Sequence, residues 1–212
     1  MNSINKDVNC LNCGRAVCKE FISNINVTMH PELRDKVMDE SIFNWSCEYC
    51  DESSRVIYPF IYQDAKNKFV IYFFPSVSDC KLNDHISNAR YPKISDVKKR
   101  IVENVNDLKE KIIIFEQGLE DRAIEIIKSA IRKSFNNEDV YIYFFRYNSI
   151  QKSLEFAVIN KKNEVGYKSV KYMAYEKALD FCSNYEYDKE RFTIIDSNWA
   201  QEVLIESKNI NC

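Results

Sequence analysis

The sequence predicts an α+β protein whose first half is built outward from a knot of cysteines. Three observations lead there. Two Cys-x-x-Cys pairs, Cys10/Cys13 and Cys47/Cys50, stand close together near the start of the chain. Runs rich in aromatic and β-branched residues have the character of strands. Helix-patterned and strand-patterned segments arrive in blocks, which favours α+β over a wound parallel sheet. The predicted order is zinc-ribbon-like β-knuckles with an inserted helix, then a helical pair, then a C-terminal strand and helix region. The expected segments are 1–135 and 136–212.

The spacing of the first element suits a metal. A Cys-x-x-Cys pair folds into a tight turn that aims two sulfurs and backbone N–H groups at one centre. Two such turns supply four thiolates in tetrahedral array, and Zn²⁺ has no geometric preference against that. Gly14 after Cys13 fits, because such a knuckle often needs φ > 0, and Asp51 after Cys50 is a poorer version of the same signal. The expected ligands are Cys10, Cys13, Cys47 and Cys50, and the expected cofactor is a structural Zn²⁺. An iron site uses the same four thiolates, and Cys18 or His30 could replace a ligand. Cys18 reads more simply as a buried strand cysteine, and His30 as a helix-entry residue before Pro31. Redox chemistry at one pair would not account for two. Disulfides lack a secretory context.

The stretch between Cys13 and Cys47 exceeds the roughly 15–20 residues of a compact four-cysteine finger, so it must be structured. Residues 16–27 look extended. A short helix follows at His30–Met38, with Pro31 at its first position and Glu32 beside it. Ile42, Phe43 and Trp45 lead back into the second knuckle. Next come the strand-like runs 55–62 and 68–75, joined by the polar Gln63–Asn67 as a hairpin. Pro59 cannot donate a ladder hydrogen bond, which assigns it to an edge or bulge. Residues 76–93 are polar and irregular and form the best linker; His85 within them reads as a solvated loop histidine.

Val105, Leu108, Ile112 and Phe115 place one apolar stripe on a helix that Asn104 can cap and Gly118 ends. A second helix from Glu120 carries Leu119, Ala123, Ile127, Ala130 and Ile131 on one face. Its acids come first and its bases last, in keeping with the helix dipole. Strands follow at 140–147, 154–159 and 165–173. A helix with Ala174, Ala178, Phe181, Cys182 and Tyr185 turned inward comes next. After the short extended run 192–195, Asp196 can cap a last helix carrying Trp199, Ala200, Val203 and Leu204.

Composition narrows the function classes. The 212 residues are 45% hydrophobic, with only 3 Gly and 4 Pro, so the chain can bury a core and is not low-complexity. Its Asn, Ile and Lys content suits an AT-rich bacterial or phage genome. Net charge is −2 and the pI about 5.8, which gives no global attraction to nucleic acid or anionic lipid. No apolar leader or membrane-length run is visible, and the cysteines suit a reducing cytosol. Cys80, Cys182 and Cys212 stand apart and receive no chemistry.

No Gly-rich phosphate loop, Ser-centred elbow or His-Glu-x-x-His run is present, and the chain has 2 His in all. Glu116, Glu120, Asp121 and Glu125 could line a Mg²⁺ site but read more simply as solvated helix surface. The aromatic strands could stack bases but read more simply as core. Lys98-Lys99-Arg100 is a short local basic patch.

Several of these runs together resemble a known family. Cys10-Leu-Asn-Cys-Gly14, Asn26-Val-Thr-Met-His-Pro-Glu-Leu-Arg-Asp-Lys36, Phe43–Cys50 and Tyr58-Pro-Phe-Ile-Tyr62 are similar to the bacterial CpXC domain. Glu110-Lys111-Ile112, Gly118-Leu119-Glu120-Asp121 and Ile124-Glu125 extend the likeness over roughly the first 130 residues. The resemblance implies a metal-binding cysteine quartet and no particular activity. Leu11 and Glu48 stand where the family's name expects Pro; the ligands are unaffected, and what changes is turn stiffness. The expected function is therefore a zinc-stabilised cytoplasmic binding or adaptor protein with a protein partner. The alternatives are a carboxylate/Mg²⁺-dependent hydrolase or nuclease, a thiol-redox protein, and nucleic-acid binding through the knuckles.

Overall fold

A computed structural model describes residues 2–75, 96–135 and 139–210. The linker expected at 76–93, with Cys80 and His85, lies outside the described residues, as does Cys212. The fold is α+β and divides into two compact units, Met1–Val105 and Asn106–Cys212. This division falls ahead of residue 135, because the helical pair packs with the C-terminal strands.

The first unit is a mixed five-stranded sheet with a two-stranded ribbon. Strand β1 (Asn2–Asn9) pairs antiparallel with β2 (Ala16–Asn26). Helix α1 (Glu32–Met38) and a 3-10 turn at Ser41–Phe43 lead to the ribbon of β3 (Asn44–Ser46) and β4 (Ser53–Arg55). Strands β5 (Phe60–Asp64) and β6 (Phe69–Phe73) form the expected hairpin. Its setting was not legible in the sequence. β5 runs parallel to β2, and β6 runs parallel to β7 (Lys98–Val102), giving the order β1-β2-β5-β6-β7. Every residue of β5 and β6 is buried, as suits interior strands. Pro59 is neither at an edge nor in a bulge: it is the residue before β5, so the ladder asks no N–H of it. Lys98-Lys99-Arg100 is likewise not a surface patch. It opens β7, and Arg100 is fully buried, donating to the Lys99 carbonyl at 2.9 Å.

Phe21, Phe43, Tyr58, Phe60 and Phe73 fill this unit's core, with neighbouring ring centroids 4.7–6.1 Å apart in tilted and edge-on pairs. The aromatic runs expected to be core are core here.

The second unit opens with α2 (Val105–Glu116) and α3 (Asp121–Lys133), separated at Gly118, whose φ of +69° suits a residue without Cβ. Strands β8 (Tyr141–Asn148), β9 (Ser153–Ile159) and β10 (Val165–Lys171) form an antiparallel sheet in the order β10-β9-β8. Helices α4 (Tyr172–Ser183) and α5 (Ser197–Ile210) close the chain. Asp196 caps α5 as expected, its Oδ1 accepting from the N–H groups of Asn198 and Trp199 at 3.0 and 2.9 Å. Among the described residues no helix is long and apolar enough to cross a membrane.

Candidate metal centre

The four expected cysteines are the tips of two hairpins. Residues 10–15 join β1 to β2, and residues 47–52 join β3 to β4. The two tips repeat one backbone pattern. In the first, Cys10 N–H donates to the Arg15 carbonyl and Gly14 N–H to the Cys10 carbonyl, both at 2.9 Å. In the second, Cys47 N–H donates to the Glu52 carbonyl and Asp51 N–H to the Cys47 carbonyl, again at 2.9 Å. The fifth residue of each tip needs positive φ: Gly14 at +72° and Asp51 at +55°. Glycine takes that conformation freely, and Asp is among the few residues that take it at modest cost.

These turns bring Cys10, Cys13, Cys47 and Cys50 together, with all four sulfurs within 4.8 Å of one another. Cys10 Sγ stands 3.6 Å from Cys50 Sγ, and Cys13 Sγ 3.7 Å from Cys47 Sγ. A disulfide would need about 2.05 Å, and all four are free thiols. Four sulfurs placed about 2.3 Å from one tetrahedral ion stand about 3.8 Å apart, close to both spacings. A span this small could hold one ion.

The surroundings hold the knot in shape. Cys10 and Cys47 are buried against Val17 and Trp45, with Val8 and Val56 partly buried beside them. Val8 and Val17 are direct cross-strand partners in the first hairpin and Trp45 stands in the second, so the apolar base draws on both hairpins. Two contacts bridge the knuckles: Asn12 Nδ2 donates to Cys50 Sγ at 3.6 Å, and the Arg15 guanidinium lies 4.7 Å from the Tyr49 ring centroid.

Electrostatics favour a cation at the centre. The Cys13 N–H holds the Cys10 thiol down at about 7, against burial and with help from the Asn12 N–H. At Cys47 the Tyr49 N–H pulls the same way. There burial and the three neighbouring sulfurs push harder, and the thiol stands at about 11. Four thiols this close cannot all ionise alone; a divalent ion relieves the repulsion and takes all four as thiolates.

The rival ligands lie elsewhere. Cys18 is exposed on β2, not buried as expected from its type. Strand alternation gives the reason: Val17 faces the knot, so its neighbour faces away. His30 sits at the entry to α1 with Nδ1 3.5 Å from Glu32 Oε1. Cys182 is buried in α4, where burial pushes its thiol up to about 11.

The acids of the helical pair required the larger correction. Asp121 and Glu125 are not solvated helix surface but buried, with Glu110, Lys111 and Lys128. Lys128 Nζ meets Glu110 Oε2 at 2.8 Å and Glu125 Oε1 at 2.9 Å. Lys111 Nζ stands 2.9 Å from Asp121 Oδ2 and 3.5 Å from Glu125 Oε1. The remaining Glu110 oxygen accepts the Phe144 N–H, and Gln117 Oε1 accepts the Tyr147 N–H at 2.7 Å. A side chain of α2 and one just beyond its end thus occupy N–H groups along the free edge of β8. Only the i,i+3 pair Glu125/Lys128 could have been found in the sequence; the other pairings join separate elements. Glu120 is paired with Arg122 at 3.0 Å.

Comparison with curated proteins and with solved structures finds no match. A family model described as "CpXC protein" matches residues 8–128, from β1 through both knuckles to α3. That segment contains the whole cysteine cluster and the buried ion pairs of α2 and α3, and the chain belongs to the CpXC protein family.

Proposed function

We propose that this chain is a zinc-stabilised cytosolic binding or adaptor protein whose partner is another protein. Cys10, Cys13, Cys47 and Cys50 hold one Zn²⁺, and the metal is structural. The observation that carries this reading is closure: four thiols converge on one centre, two of them buried. Four thiolates complete a tetrahedral shell, so no position is open for substrate or activated water. Zn²⁺ is preferred over iron because its filled d shell accepts the tetrahedron without redox chemistry.

The knuckle tips support a protein partner. Leu11 and Tyr49 project from the two tips, 92% and 51% exposed. A tyrosine held out on a turn is the kind of residue that anchors an interface. Of the carboxylates behind the Mg²⁺ reading, Asp121 and Glu125 meet ammonium groups and Glu120 a guanidinium.

Three measurements test the proposal. Freshly purified protein is expected to carry about one zinc per chain by inductively coupled plasma mass spectrometry. Chelation under reducing conditions is expected to unfold the first unit, reported by Trp45 emission. Protein free of metal would overturn the zinc assignment. Leu11→Ser with Tyr49→Ser is expected to keep the zinc but lose partners recovered by affinity purification. Unchanged recovery would remove the adaptor half of the reading.

A further inference from the structure

A second site stands in the C-terminal unit, independent of the cysteine knot. Helices α3, α4 and α5 and strand β10 border an open hollow of about 430 Å³. That volume lies within the range of small-molecule sites, about 300–1,000 Å³. Its walls are almost wholly apolar, with Ile127, Ile131, Val170, Phe181 and Leu204 among them. The hollow exists because alanines stand where α3 and α4 approach it. Ala130 of α3 was expected to pack inward but is exposed at the mouth, and Ala174 and Ala178 of α4 are too short to fill the space.

The mouth carries charge of one sign. Lys168 and Lys177 line it, and no acidic residue does. Lys168 Nζ donates to the Ser134 hydroxyl at 2.9 Å and lies 5.5 Å from the Phe135 ring centroid. Neither lysine meets a carboxylate among the described residues. A greasy hollow with two uncompensated ammonium groups at its entrance is complementary to an alkyl chain ending in an anion. The chain removes apolar wall from water while the lysines keep the head group at the surface.

We infer that this cavity binds a single-chain anionic amphiphile of the medium-chain carboxylate class. The alkyl chain lies between α3, α4 and α5, and the carboxylate lies between Lys168 and Lys177. Burying each further methylene is worth about fourfold in affinity.

The test uses the full-length protein, a dansylated undecanoate as fluorescent probe, and octanoate, decanoate, dodecanoate and decanol as competitors below their micellar concentrations. Affinity is expected to rise about fourfold per methylene from octanoate and to level off once the hollow is full. Lys168→Gln with Lys177→Gln is expected to weaken decanoate at least tenfold and to leave decanol unchanged. Ala130→Trp is expected to abolish displacement by either while circular dichroism and thermal unfolding stay those of wild type. No displacement by any competitor, displacement that survives Ala130→Trp, or decanoate binding indifferent to the lysine changes would each overturn the assignment. So would a wild-type dimer in sedimentation that Ala130→Trp dissociates, since a second copy would then be what covers the hollow.

Discussion

Replacing Lys128 by Met is the sharpest test of the buried ion pairs. The ammonium group contacts Glu110 at 2.8 Å and Glu125 at 2.9 Å, and its side chain is only 8% exposed. Water cannot take over for it. Met conserves length and apolar contact but leaves two carboxylates facing one another. Glu125 keeps Lys111 at 3.5 Å, and Glu110 keeps only the Phe144 N–H among the contacts described above. Breaking a buried pair by removing one partner costs about 3–5 kcal/mol, a large share of a typical stability of about 5–15 kcal/mol. With a urea slope of about 2 kcal/mol per molar, the midpoint should fall by about 1.5–2.5 M.

The chain's tryptophans give a clean assay. Trp45 lies in the first unit and Trp199 in the second, so in a Trp45→Phe background Trp199 emission follows the second unit alone. The deficit should depend on pH. Burial raises the Glu110 pKa, so the folded state binds that proton more tightly than the unfolded one. Its contribution to stability is then greatest below the unfolded value of about 4.3 and is lost as pH rises through the higher folded value. Without Lys128 that folded value climbs further. Lys128→Met should be least harmful near pH 4–5 and most harmful at neutral pH, and adding Glu110→Gln should restore part of the loss. A loss under about 1 kcal/mol at pH 7 would show that the ammonium group does not hold these carboxylates.

Other outcomes follow from single features. Asp51→Gly should raise first-unit stability by a few tenths of a kcal/mol up to about 1, because φ at that position is +55°; denaturant midpoints followed by Trp45 emission measure it. Asp196→Ala should lower second-unit stability by about 1 kcal/mol, since the carboxylate caps two N–H groups of α5; Trp199 emission in urea reads it. In timed alkylation followed by mass spectrometry and peptide mapping, Cys18 should react at once. Cys182, with its thiol near 11, should stay protected. Cys10, Cys13, Cys47 and Cys50 should become reactive only after chelation; reaction of all four beforehand would contradict the metal assignment.

What the sequence by itself determined is local. Each knuckle is a few residues with its own turn hydrogen bonds, so Cys-x-x-Cys and the following Gly14 or Asp51 were readable without knowing the fold. The same holds for the stripe on α2, the cap at Asp196, the stop at Gly118 and the β5–β6 hairpin. Strand β1 left almost no signal, since Asn2–Asn9 is nearly all polar and its order comes from pairing with β2. Tertiary structure alone decided three further things. It placed β5 beside β2 and β7 beside β6, pairings of strands far apart in the chain that no local pattern encodes. It turned Cys18 outward, because one neighbour on the strand had to face the knot. It buried Glu110, Lys111, Asp121, Glu125 and Lys128, which resemble solvated helix surface until the two helices supply one another's counter-charges. A charged side chain reports its own chemistry in the sequence, but its burial depends on partners that only folding brings near.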